Sequence, residues 1–532
     1  MPEALGPLIL SAAGATDVVG IAGLGTLATT TVAGVSLASI VGSAAIIGTS
    51  IGLQYALSKA PGLPKPEDGS EALRQSIPPR QRGYGINRLA GYYLLFEAVG
   101  SAPATSYDVI AFHSGPVERL LDIYLNNDRV NTTPDARNGG SDCVVADFGD
   151  GSYAGDRAFI SVRLGTDDQP RIAFNDDPNI SPIWDSSHIG KGIAMLGLAL
   201  GGLGDPELQS RTFPQGRPSA SVVAVCSPIW DPRDGSQSFD DPSTWRVRYN
   251  PVLQLIDYFT RVDGGMGQDI DIAIPPAVLQ QLMIEADLCD QLVEVDGGGA
   301  EPRYSSHGWF RYNDNPEDVI NALLSACDGW LAEAGDGTLA LTVGVYREPI
   351  DPPLTEDNIV GWSFSNGQAD EQLINVLNVS FTDPSQDYVE APRDDVRDED
   401  SIDEIGAEKP KALSLTWVQS GTQADRLAER AISRLNPKRS GALITGLYGL
   451  RYLGKRWIKV QYPQIADLAD CVIEIQPSPQ IDLMAGQVRF PFNLVDVEKL
   501  ETDSVANPPP YPREDGLPYV REDGSLYFRE AA

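Results

Sequence analysis

Residues 18–58, VVGIAGLGTLATTTVAGVSLASIVGSAAIIGTSIGLQYALS, run for 41 residues without one charge. A single bilayer crossing takes roughly 20 apolar residues, so the run is long enough to span. It is less apolar than a usual spanning helix, with seven glycines and many Ala, Ser and Thr. Gly34, Ala38 and Gly42 fall at four-residue spacing, as do Ala44, Gly48 and Gly52. Small residues at that spacing let helix backbones approach closely. The pattern predicts a hydrophobic N-terminal helical segment that packs through these six positions. A secretory signal needs a positive n-region and a short apolar core. Here the first basic residue is Lys59, and the run is too long. It does not read as a signal peptide.

The rest of the 532-residue chain is unlike this start. It exceeds what one core can organise, and three or four domains are expected. Abundant Gly (52) and Pro (40), with Val, Ile, Tyr and Thr throughout, favour short strands and turns over long helices. The net charge of −34 argues against sequence-specific nucleic-acid reading. Simple solubility is its plainest account, though it also suits a passage through which nucleic acid slides without sticking. Cys143, Cys226, Cys289, Cys327 and Cys471 are scattered and form no C-x-x-C pair, which implies neither a disulfide framework nor a zinc site.

The predicted organisation is α+β and β-rich. Residues 1–60 form the hydrophobic segment and 61–85 a proline-rich linker or arm. Residues 86–240 form a β-rich domain containing YYLLFEAV, YDVIAFHSG, LLDIYL and RAFISVRLG, with a hairpin turn at Asn126-Asn127-Asp128. Residues 241–350 form an α+β domain. In it, Asn250-Pro251 starts a helix with 252, 255, 256 and 259 inward, and Asn315-Pro316 starts another whose face Val319, Ile320, Leu323, Leu324 and Cys327 runs to a stop at Gly329. Two strands about Gly335-Asp336-Gly337 follow. Residues 351–500 form a further β domain with a strand over 371–382, an acidic solvated loop at 391–408, and a helix capped by Thr422 with the stripe Ala424, Leu427, Ala428, Ala431 and Leu435. Residues 501–532 hold an eight-residue repeat led by Tyr511, Tyr519 and Tyr527, too short to bury a core alone.

Little in the chain carries chemistry. His113, His188 and His307 are isolated, and neither a nucleophile elbow, a zincin motif nor a phosphate loop occurs. The neighbours His113 and Ser114 point to opposite faces of a strand, which is poor geometry for a nucleophilic pair. The faint cation-loop flavour of FGDGSYAGD (148–156) lacks regular ligand spacing and reads as a turn. No catalytic residue, metal or cofactor is implied.

Several stretches together resemble the central tail hub, or tail-tip, proteins of long-tailed phages, the lambda-type host-specificity family. They are YDVIAFHSG with LLDIYLNNDRV; TFPQGRPSASVVAV leading to IWDPRDG, with Asp231-Pro232-Arg233; STWRVRYNPVLQLIDYFT; EADLCDQLV with EPRYSSHG; NPEDVINALLSACDGWLAEAGDGTLALTVG; and NVLNVSFTDPSQDYVE, with QADRLAERAISRLN and GLYGLRYLGKRWIKVQYP beyond it. The resemblance covers roughly residues 75–500 and stops short of the fibre-like domains of the longest members. It implies a non-enzymatic structural virion protein at the tail tip, assembled in the host cytoplasm. It further implies a homotrimer with two related barrel-like domains per copy that joins tail tube to tip and gates the channel for DNA ejection. Its partners would be distal tail and tail-tube proteins, the tape-measure protein and a tail fibre. Phage DNA would pass without specific binding, and contact with the host membrane would be transient. On that reading the uncharged run is an axial plug or tape-measure socket, a wedge that enters the membrane on ejection, or a resident anchor. The competing class is a membrane-anchored surface protein whose β domains bind carbohydrate or degrade the cell wall. It expects a basic flank beside the span, where only Lys59 and Lys65 occur.

Overall fold

A computed structural model describes residues 63–500, except 76, 101–104, 148–157, 202–206, 208–212, 214–215, 296–298, 335–337, 367–372 and 477–478, together with residues 31–32, 35–36, 53, 56 and 57. The fold is α+β and β-rich, built from two curled sheets and a layer of helices between them.

The first sheet uses β2 (Ile86–Leu89), β3 (Tyr92–Val99), β4 (Thr105–Ser114), β5 (Arg119–Leu125), β6 (Asp128–Thr133), β7 (Gly140–Asp147), β8 (Ala158–Leu164), β9 (Ile193–Leu200) and β10 (Ala220–Val225). A short strand, β1 (Gln81–Tyr84), precedes them. The order is β2-β10-β5-β6-β7-β8-β9-β4-β3, antiparallel throughout. The two edge strands, β2 and β3, are consecutive in the chain, so the sheet must curl until its edges meet at Ala90-Gly91. Gly91 makes that corner at φ +85°, and a Cβ there would lie 2.0 Å from the Ala111 carbonyl oxygen. Only glycine fits. The interior is apolar, with Ile110, Phe112, Ile123, Ile160, Val162, Leu196 and Leu198 all buried. The predicted hairpin turn is present between β5 and β6, with Asn126 and Asn127 at φ 49° and 69°, the left-handed pair that matches strand twist.

The middle layer is helical. α1 (Pro251–Thr260) starts as predicted, with the Asn250 side chain accepting from the Val252 and Leu253 amides. α2 (Pro276–Asp290) follows. β11 (Gly308–Arg311) then pairs with β1, tying this layer to the first barrel. α3 (Pro316–Ser325) is capped by Asn315 as predicted but ends earlier than expected. Beyond it the chain, Cys327 included, turns back through Asp328 at φ +49°, and the Gly329 amide donates to the Leu324 carbonyl at 2.8 Å. β12 (Trp330–Glu333) and β13 (Leu339–Thr342) form the predicted hairpin.

The second curled sheet is built from β14 (Leu354–Thr355), β15 (Ile359–Asn366), β20 (Arg439–Gly446), β21 (Trp457–Gln461), β22 (Cys471–Ile475) and β24 (Gln487–Leu494), in the order β14-β21-β22-β24-β20-β15. A further strand, β23 (Gln480–Asp482), pairs beside β24. Once more the edge strands, β14 and β15, are neighbours in the chain, and the sheet curls into a half-barrel around Leu443, Ile458, Val460, Ile473, Phe490 and Phe492. Between β15 and β20 the chain makes a small sheet. There β16 (Val376–Asp383) pairs antiparallel with β17 (Val389–Pro392) and β18 (Val396–Arg397), and parallel with β19 (Pro410–Leu415). The helix α5 (Gly421–Leu435) lies on it with Ala424, Leu427, Ala428, Ala431 and Leu435 buried, the predicted stripe.

Two sequence readings need correction. Residues 391–408 are not one loop: they contain β18 and a helix, α4 (Glu399–Ile405). The Asp398 side chain accepts from the Ser401 amide, Glu399 and Asp400 sit in the first turn where the helix dipole favours acids, and Gly406 ends the helix at φ +71°. The cap of α5 is Ser420, whose Oγ accepts from the Gln423 amide, while the Thr422 hydroxyl donates to Glu301.

Candidate functional site

The six helix-packing positions Gly34, Ala38, Gly42, Ala44, Gly48 and Gly52 lie outside the described residues, as do FGDGSYAGD and the tyrosine-led repeat. The end of the uncharged run is described at three positions. Leu53, Ala56 and Leu57 are helical, and their spacing puts them on one face. They are 0%, 4% and 4% exposed and belong to the central core with residues of α1, α2, α3 and α5. Among the described residues no helix is long and apolar enough to cross a membrane.

Among the described residues no group of three or more His, Cys, Asp or Glu is placed to hold a metal ion. His113 is the residue most suggestive of chemistry, because its Nε2 lies 3.2 Å from the Ser227 hydroxyl rather than beside Ser114 as a partner. Its Nδ1 faces the Gly115 carbonyl at 3.0 Å, so a backbone carbonyl fixes the ring. Burial, with Arg82 adding to it, pushes His113 down to about 3. His307 is pushed down to about 4 by burial, and its Nδ1 takes the Ile86 amide. Both rings are neutral structural groups near neutral pH.

What the fold does concentrate is buried charge at the seams between its parts. The largest cluster lies around Asp328, at the turn after α3. Its carboxylate takes Arg430 (3.0 Å) and Arg434 (2.8 Å) from α5, and Arg456 (3.2 Å) from the start of β21. Arg456 also donates to Glu474 of β22 at 2.7 Å, and Arg430 donates to the Leu500 carbonyl at 2.7 Å. All five side chains are at most 3% exposed. Burial alone would raise the Asp328 carboxyl, but Arg434, Arg456 and Arg430 hold it well below the usual carboxylate range. The helical layer and the half-barrel are thus joined by charges that have no water to replace their partners.

Two smaller clusters tie the segments that flank the first barrel to the same layer. Tyr84 of β1 donates to Asp257 of α1 at 2.7 Å, and Arg261 grips that carboxylate from the next turn at 2.6 and 2.9 Å. The Asp231-Pro232-Arg233 element is a second clamp. Arg233 takes Asp231 at 2.9 Å, then reaches Asp287 (2.9 Å) and Asp290 (2.8 Å) on α2, and Arg248 holds the far oxygen of Asp231. The sequence reading singled out this element without its role. The sequence assigns no role to Arg430 and Arg434, although they flank the apolar stripe of α5 one turn apart.

Against known proteins, no family model matches the chain and no curated protein matches it. A solved structure does. A chain of the virion of a native gene transfer agent particle superposes with a TM-score of 0.50 at 12% identity, covering 85% of this chain and 93% of that one. The likeness is one of fold. The 43 kDa tail protein of prophage MuSo2 from Shewanella oneidensis aligns over 78% of this chain and 95% of its own, at 11% identity and a TM-score of 0.25. The tail protein from Neisseria meningitidis MC58 aligns over 79% and 96%, at 11% identity and a TM-score of 0.29. Scores of that size do not establish a common fold.

Proposed function

We propose that this chain is a structural virion protein that forms the trimeric hub or tip of a phage tail, joins the tail tube to the tip, and gates the channel through which DNA leaves. The observation that carries this reading is the fold shared over most of its length with a chain of a gene transfer agent virion. The family-like stretches are consistent with it: Arg233 of the Asp231-Pro232-Arg233 element reaches α2, and Asn250 and Asn315 cap α1 and α3. Buried ion clusters suit a part that must stay rigid: breaking one partner leaves uncompensated buried charge. The protein acts without catalysis on this reading, and the buried His113–Ser227 pair serves the fold. Its partners are two further copies, distal tail and tube proteins, the tape-measure protein and a fibre, with the acidic chain letting DNA pass unbound.

Removing the gene from its phage or prophage tests this. Particles should assemble heads but lack a finished tail tip, and should deliver no DNA; the purified chain should clear no peptidoglycan in a zymogram. Normal tips and normal delivery without the chain would sink the proposal.

A further inference from the structure

Two of the five cysteines meet in the central core. Cys289 is the last residue but one of α2, and Cys327 lies in the turn between α3 and β12. They are 0% and 2% exposed, and the Cys289 thiol is hydrogen-bonded to that of Cys327. The Cys327 thiol faces the Leu323 and Leu324 carbonyls, both at 3.7 Å, and donates its proton there. Its sulfur is left to accept from Cys289.

The backbone holds both residues in place. The Tyr304 amide donates to the Cys289 carbonyl at 3.0 Å, and the Gly344 amide donates to the Cys327 carbonyl at 2.9 Å. The Tyr304 hydroxyl donates to the Gly344 carbonyl at 2.7 Å and so links the two sides. Burial, and then the thiol beside it, push Cys289 up, which keeps it protonated at neutral pH. Cys143, Cys226 and Cys471 lie elsewhere, in the cores of the first barrel and the half-barrel.

We propose that Cys289 and Cys327 are a redox-active pair that closes to a disulfide under a peroxide oxidant, tying α2 to the turn that carries Asp328. One sulfur attacks the peroxide O–O bond and becomes a sulfenic acid, with release of one water. The second sulfur then displaces the hydroxyl as another water. Two S–H bonds are lost, one S–S bond forms, and the peroxide takes up two electrons to become two waters. Because a resolving thiol already touches the first, oxidation stops at the disulfide instead of climbing to higher sulfur acids. The reaction waits on local opening, since both side chains are buried. The cross-link then constrains the unfolded chain and stabilises the folded one.

Peptide mapping of the full chain tests this. Folded protein is treated with hydrogen peroxide at a dose that oxidises Met484, which is 83% exposed and serves as the control. Remaining thiols are alkylated, and trypsin releases Cys289 within residues 262–303 and Cys327 within residues 312–347. These two peptides should appear joined, lighter by two hydrogens than their sum, and dithiothreitol should separate them. Cys289→Ala and Cys327→Ala should each abolish the joined pair, while Cys226→Ala should leave it. The oxidised chain should melt several degrees above the reduced one, and reduction should reverse the shift. Cysteines 289 and 327 recovered as alkylated thiols, as sulfinic acids, or paired with other cysteines would overturn the proposal. So would a joined pair that forms only after denaturant has unfolded the chain, or one that leaves the melting temperature unchanged.

Discussion

Replacing Asp328 with asparagine is expected to destabilise the chain by about 3–5 kcal/mol, the cost of leaving buried charge without its partner. Three guanidiniums converge on this one carboxylate, and Glu474 alone cannot balance them. The loss should be local. Calorimetry should show the half-barrel unfolding in a separate, earlier transition while the first barrel melts near its original temperature. The effect has a defined pH window. The folded carboxyl lies below its unfolded value of about 4, so its contribution is complete above that pH and is lost only as the pH falls further. The gap between wild type and variant should therefore be constant from pH 5 to 8 and shrink below 4. A variant that melts as the wild type does at pH 7 would show that the cluster does not join these parts.

The second large effect concerns the uncharged run. Leu53→Asp should cost at least about 3 kcal/mol, because Leu53 is fully buried in the central core and the new carboxylate would have to protonate or open the packing. Leu53→Met should be nearly silent, since volume is kept. Chemical denaturation of both variants checks this. If Leu53→Asp were as stable as wild type, the end of the run would not belong to the core in solution. The expected result changes how the run is understood. A membrane-like sequence ends with Leu53, Ala56 and Leu57 on one helical face buried in the central core.

Local signals carried much of the fold. The starts of α1 and α3, the Asn126-Asn127 hairpin, the β12–β13 hairpin and the stripe of α5 are each decided by residues within a turn or two of one another. α4 was legible by the same rules, in its Asp398 cap, first-turn acids and Gly406, and was lost beneath the weight of charge around it. The barrel-like domains were expected from the family resemblance and from no local pattern of residues. Their closure rests on pairings such as Ile86 with Val225, which no local pattern encodes. The Asp328 cluster is hidden for the same reason, since Asp328 meets residues 102 to 128 positions away and its sequence neighbours show only a helix end.

The most direct test of the structural role is a density map of the tail end from particles carrying a tag on this chain, with copy number measured against the tail-tube protein. Three copies ringed about the tail axis at the distal end of the tube is the predicted result. A chain absent from purified particles and recovered instead from detergent-solubilised host membranes would contradict it.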